Sequence, residues 1–176
     1  MTQKSIRGLM MALGLAAAAA CASSPAAAPA APGAFAAEQP GLQWRRIIQT
    51  EQRFSVYISE PAVREGDIVR FRMVYVYQPG AVSLYGREVA WQEYDDVRLD
   101  CAAERVVMGN RTRYAVNGEA FGQDADNTSA QIIGHAVFRS QDVHCKAKPW
   151  TGMNLVSGGP GWIARARAAI LEDSPL

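Results

Sequence analysis

The chain is poor in the residues that most enzymatic chemistry needs. It has only two histidines, His135 and His144, and three cysteines, with no CxxC and no HxxxH spacing among them. A metal site wants several ligands at short spacing, so none is expected. No GxSxG is present, which leaves a serine nucleophile on a strand-to-helix elbow without a candidate. The glycines of SGGPGW (157–162) are not followed by Lys-Ser or Lys-Thr, so that segment is not a phosphate loop. Charge of one sign is lacking as well: the formal net charge is +1, which offers no general attraction to nucleic acid. Lysine is scarce, with three against fifteen arginines, a ratio that fits a GC-rich bacterial genome. No cofactor is implied.

One stretch lacks charge altogether. From Gly8 to Ala37 there is no charged residue, while Lys4 and Arg7 stand just before it. A positive start, an apolar run (8–20) and small residues after it are the parts of a secretory signal. The run is shorter than the roughly 20 apolar residues that cross a bilayer. Cys21 closes it, preceded by Ala18-Ala19-Ala20, and this resembles the bacterial lipobox, whose cysteine is acylated and becomes the mature N-terminus. Ala18 stands where the lipobox usually has Leu. Two other readings are a cut after Ala34-Phe35-Ala36, far beyond the apolar run, and an uncleaved leader. The lipobox reading predicts a signal peptide over 1–20 and a lipid such as palmitate on Cys21, holding the protein to a membrane. Residues 21–41, broken by Pro25, Pro29 and Pro32, then form a disordered Ala/Pro-rich linker. Residues 42–176 form a single domain.

If Cys21 carries lipid, Cys101 and Cys145 remain as an even pair in an oxidising compartment, where disulfides persist. The competing readings are two buried free thiols or a metal site. A bridge closing a loop of this length stabilises by about 4 kcal/mol on the loop-entropy account.

The folded part reads mainly as strands. Apolar and polar residues alternate over 54–58, 68–77 and 94–101, with 44–49 and 131–138 as further strands. Segments 105–108 and 113–116 flank Gly109-Asn110 and predict a hairpin. Short connections favour antiparallel pairing. Residues 140–145 predict a single turn capped by Ser140, 149–162 a loop, and WIARARAAILE (162–172) a helix. The fold class expected is α+β: a small antiparallel sheet of about six strands, a C-terminal helix packed on it, and one disulfide.

Trp44, the strand ending Val56-Tyr57-Ile58, the long strand Asp67 to Tyr77, Tyr94, Arg98-Leu99-Asp100-Cys101, Arg105, Tyr114, Gly118 and Cys145 follow one another in an order that resembles the bacterial surface-adhesin protein E family. The resemblance covers roughly 44–145, and the Asp-Cys pair with the late cysteine is its most specific part. It implies an exported, often lipidated protein with a helix on an antiparallel sheet. It also implies a non-catalytic binding or scaffolding role at the cell envelope, outer membrane included, with an envelope or host matrix protein as partner. About 30 residues after Cys145 fall outside the family pattern, and no ligand contact is carried over. The rival from another class is a periplasmic hydrolytic or metal-dependent enzyme built on His135, His144 and Asp142. Arg70 and Arg72, with Arg98 near them, read as a solvated sheet face. The sequons at Asn110 and Asn127 are of a kind frequent by chance.

Overall fold

The computed structural model describes residues 36–49, 53–132, 135–150 and 155–172, all within one compact unit. After a single 3₁₀ turn (Ala36–Glu38), the strands are β1 (Gln43–Gln49), β2 (Phe54–Glu60), β3 (Val63–Glu65), β4 (Ile68–Tyr77), β5 (Ser83–Leu84) and β6 (Arg87–Glu88). They continue as β7 (Trp91–Asp100), β8 (Arg105–Val107), β9 (Gly109–Tyr114), β10 (Ala120–Asp126) and β11 (Ala130–Gln131). Helix α1 (His135–His144), strand β12 (Leu155–Ser157) and helix α2 (Trp162–Glu172) complete the order. Ten strands form one antiparallel sheet in the order β10-β9-β7-β4-β2-β1-β12, with β3, β8 and β11 as short additions. Strands β5 and β6 make a separate hairpin.

Alternation along the central strands decides where the helices go. Successive strand residues point to opposite faces, and here both faces are apolar over part of their length. On one face Val56 and Ile58 of β2 meet Val69, Phe71 and Met73 of β4 and Val97 and Leu99 of β7. Ala136 and Val137 of α1 join that cluster. On the other face Tyr57, Val74, Val76 and Trp91 pack with Trp44 and with Trp162, Ile163, Ala166 and Ile170 of α2. Strand β4 explains the change: its second face begins with Arg70 and Arg72 and continues with the buried Val74 and Val76. The helix predicted over 162–172 is present, and it covers the apolar half of that face.

The strand count is larger than the expected six, because β3, β11 and β12 have two or three residues each, too few to carry a period. Strand β10 reads AFGQDAD, which has no alternating apolar pattern. Three local expectations are corrected. Segments 105–108 and 113–116 do not form a hairpin: β8 pairs with Arg98–Asp100 and β9 with Trp91–Tyr94, so both run along β7. Gly109 opens β9 at φ +72°, and a Cβ there would stand 2.5 Å from the Asp96 carbonyl oxygen. The glycine serves a close backbone approach, not a reversal. The reversal after β9 is at Asn117-Gly118, where Ala115 N–H donates to Glu119 O over 2.9 Å and β10 folds back. The second correction concerns 131–138: the strand stops at Gln131 and a helix has begun by His135. Ser140 is therefore no cap. It is buried within α1, and its hydroxyl donates to the Ala136 carbonyl at 3.0 Å. Third, the predicted loop 149–162 contains β12, which pairs with β1.

Candidate functional site

The predicted disulfide is present. Cys101 follows β7 and Cys145 follows α1, with Cα atoms 5.3 Å apart. The bridge fastens the end of α1 to a central strand. Beside it, the Arg64 guanidinium donates to the carbonyl of His144 at 2.6 Å and lies 3.7 Å from the Cys101 sulfur.

The residues of the enzyme reading are spread along α1. His135 and His144 stand nine positions apart at the two ends of α1, which at 1.5 Å per residue is roughly 13 Å along the axis. The side chain of His135 lies outside the described residues. His144 packs its ring against Phe71 and Trp150, with centroids 5.6 and 5.8 Å away. Burial holds its imidazole below the ordinary value, and its Nε2 has no hydrogen-bond partner among the described residues. Asp142 is engaged by Lys148 at 2.9 Å and Lys146 at 3.8 Å. The Lys148 hydrogen bond holds its carboxyl low. Among the described residues no group of three His, Cys, Asp or Glu could hold a metal ion. Arg70 and Arg98 share Asp96, at 3.0 and 3.3 Å, on the solvated part of the sheet. Cys21 lies outside the described residues, and among them no helix is long and apolar enough to cross a membrane.

A different constellation gathers on the α2 face, and three of the four tryptophans build it. Trp44 and Trp162 stack at 5.4 Å, and Tyr57 meets the Trp162 ring edge-on at 5.1 Å. Both indole N–H groups donate to the carbonyl of Ala37, from Trp44 at 3.2 Å and from Trp162. The Ala37 N–H donates to Glu93 Oε1 at 3.2 Å, and the Trp91 indole donates to the same oxygen at 3.1 Å. Ala37 itself is 1% exposed. The short turn Ala36–Glu38, which the sequence assigns to a linker, is thus held by two indoles and by a carboxylate that a third indole positions. Burial raises the Glu93 carboxyl above its ordinary value, against the Trp91 and Ala37 hydrogen bonds that favour its charged form.

Next to this clasp, a groove of about 350 Å³ runs between α2 and the sheet. Tyr57 and Trp162 line it, with Arg46 from β1 and Arg165, Ala166 and Ala169 from α2. Arg46 and Tyr57 are direct cross-strand partners, so both reach the same face. A cavity of this size with an apolar floor and a few converging polar groups has the form of a small-molecule site.

Sequence reasoning missed Glu93 and the tryptophan cluster. Trp91-x-Glu93 on one strand did carry a signal, since residues two apart share a face and a carboxylate there joins an indole. Nothing in the spacing of 44, 91 and 162 tells that the three residues share one buried cluster. The fold and this face define a class only in outline: an antiparallel sheet with a helix on each face, a stapling disulfide and an aromatic clasp. No known protein family, no curated protein and no solved structure matches the chain.

Proposed function

We propose that this is an exported cell-envelope lipoprotein of the surface-adhesin protein E-like type, whose folded unit has a non-catalytic binding or scaffolding role. In this reading the signal ends at Ala20, Cys21 carries the lipid, and the protein is held to the outer membrane on its periplasmic or outer side. Its macromolecular partner is an envelope protein or a host matrix protein. The observation that carries the reading is how the chain downstream of Cys21 enters the fold. A tethered module needs a firm point of attachment, and Ala37 supplies one through its two hydrogen-bonded backbone groups and full burial. The disulfide suits an oxidising compartment. The acidic side chains near His144 are also paired, Asp142 with two lysines and Glu60 with Arg45 at 2.7 Å, which favours a binding role over acid–base work.

The test is acylation in a bacterial host fed labelled palmitate, with fractionation of the envelope. The protein takes up label and partitions with membranes, and Cys21→Ser abolishes the label. An unmodified mature N-terminus at Ala37, found by mass spectrometry, would overturn the lipoprotein reading. Stable anchoring implies more than one acyl chain, since a single chain binds only marginally.

A further inference from the structure

The geometry points to the groove beside α2 as a binding site for a small amphipathic anion, an apolar body carrying one phosphate or carboxylate head. The inference rests on the reading of the folded unit as a binding module and does not require the lipid on Cys21. The floor is apolar and rigid. Tyr57 and Trp162 are locked edge to face, and Trp44 backs Trp162. The α2 wall is cut low by Ala166 and Ala169, and longer side chains at those places would fill the space. At ~30 Å³ for each water-sized group, about 350 Å³ holds about a dozen non-hydrogen atoms. That suits a short alkyl chain with its head group.

The rim supplies charge of one sign. Arg46 and Arg165 stand at the groove, and no carboxylate is among its described lining residues. Guanidinium is the side chain best matched to the two oxygens of a phosphate or carboxylate. Arg165 donates one hydrogen bond, from Nη1 to the Pro160 carbonyl at 3.3 Å, which leaves further N–H groups on a guanidinium that has five. Arg46 lines the groove from β1, opposite Arg165 of α2, and has an interaction of its own. Both Trp162 and Arg165 lie in the first turn of α2, where the positive end of the helix adds to the attraction for an anion. A neutral apolar ligand would use the floor and waste the rim. A purely ionic one, such as free phosphate, would use the rim and leave the apolar lining unfilled.

The same chemistry is offered by an anionic lipid and by a free amphiphile, and the experiment separates them. The full chain carrying Cys21→Ser is titrated calorimetrically with octyl phosphate and with 1-octanol as its neutral counterpart. Octyl phosphate binds at one site, and 1-octanol binds at least ~10-fold more weakly. Arg165→Gln weakens octyl phosphate about 10-fold, consistent with loss of a charge-assisted contact. Arg46→Gln with Arg165→Gln removes the preference for the phosphate. Ala169→Leu, a good helix former on a partly exposed position, blocks binding while circular dichroism and the melting temperature are retained. In a second arm, phosphatidylcholine vesicles with and without phosphatidylglycerol are sedimented with the same protein. Retention on the anionic vesicles that the double arginine variant loses assigns the site to a lipid head group. Octyl phosphate binding without vesicle retention assigns it to a free amphiphile. Equal affinity for 1-octanol, binding indifferent to both arginine changes, or no binding of octyl phosphate overturns the inference. None of these results touches palmitate labelling of the unaltered chain, so failure of the groove and failure of the anchor are told apart.

Discussion

Glu93 shows what a single buried carboxylate does to this molecule. It is 8% exposed, and burial is the largest cause of its raised pKa. The folded state therefore keeps its proton to higher pH than the unfolded chain, whose Glu titrates at about 4.3. Between those two values the native state binds more protons, so this group's contribution to stability is full below the ordinary carboxylate range and is lost as pH rises through the raised native value. Asp124, held down to about 2 chiefly by its hydrogen bonds from Arg111, works in the opposite sense. The informative quantity is thus a difference between proteins. Glu93→Gln keeps an oxygen for the Trp91 indole and the Ala37 N–H and removes the charge. Urea unfolding from pH 4 to pH 8 is expected to show the variant gaining on the unaltered protein as pH rises. A constant difference across that range would show that Glu93 titrates alike in the folded and unfolded states, so that burial does not shift it.

At the scale of elements, α1 and its disulfide are the clearest case. Cys101→Ala and Cys145→Ala each open the same loop, of sequence separation 44, and each is expected to cost about 4 kcal/mol on the loop-entropy account. The double variant loses little more, as measured by denaturant unfolding under oxidising conditions. Additive losses would mean two independent packing sites instead of one cross-link. The staple was legible in the chain because a cysteine count is a discrete signal. The element it staples was not. QIIGHAVF is a short apolar run, and periodicity cannot tell a buried strand from a buried helix segment at that length. The Gly109-Asn110 pair misled for a related reason, since a glycine that admits the Asp96 carbonyl looks in sequence like a glycine that turns the chain.

For the molecule as a whole, the two helices answer to two separate apolar clusters, one on each face of the sheet. Trp162 ties the second cluster to the entering chain, through ring contacts with Trp44 and Tyr57 and through its donation to Ala37. Trp162→Ala is expected to lower the unfolding free energy by about 3–5 kcal/mol, as for other large-to-small core changes. Trp162→Phe retains much of the ring packing, loses the indole donor, and costs about 1–3 kcal/mol. Hydrogen exchange at the Ala37 amide rises in both. A Phe variant as stable as the unaltered chain, with Ala37 exchange unchanged, would show that the clasp does not depend on the Trp162 indole.

What the sequence by itself determined is what depends on local pattern or on counting: strands β2, β4 and β7, helix α2, antiparallel pairing and the Cys101–Cys145 bridge. Each rests on a period of two, a helix-forming composition or a residue that has one remaining partner. Only the tertiary structure decided that the sheet is covered on both faces, that Ala37 belongs to the core, and that Tyr57, Trp162, Arg46 and Arg165 share one groove. These residues come from β1, β2 and α2, up to 119 positions apart. No periodicity links them. Their meeting follows from cross-strand register and from which face of the sheet an amphipathic helix can bury, and both are settled only when the whole chain packs.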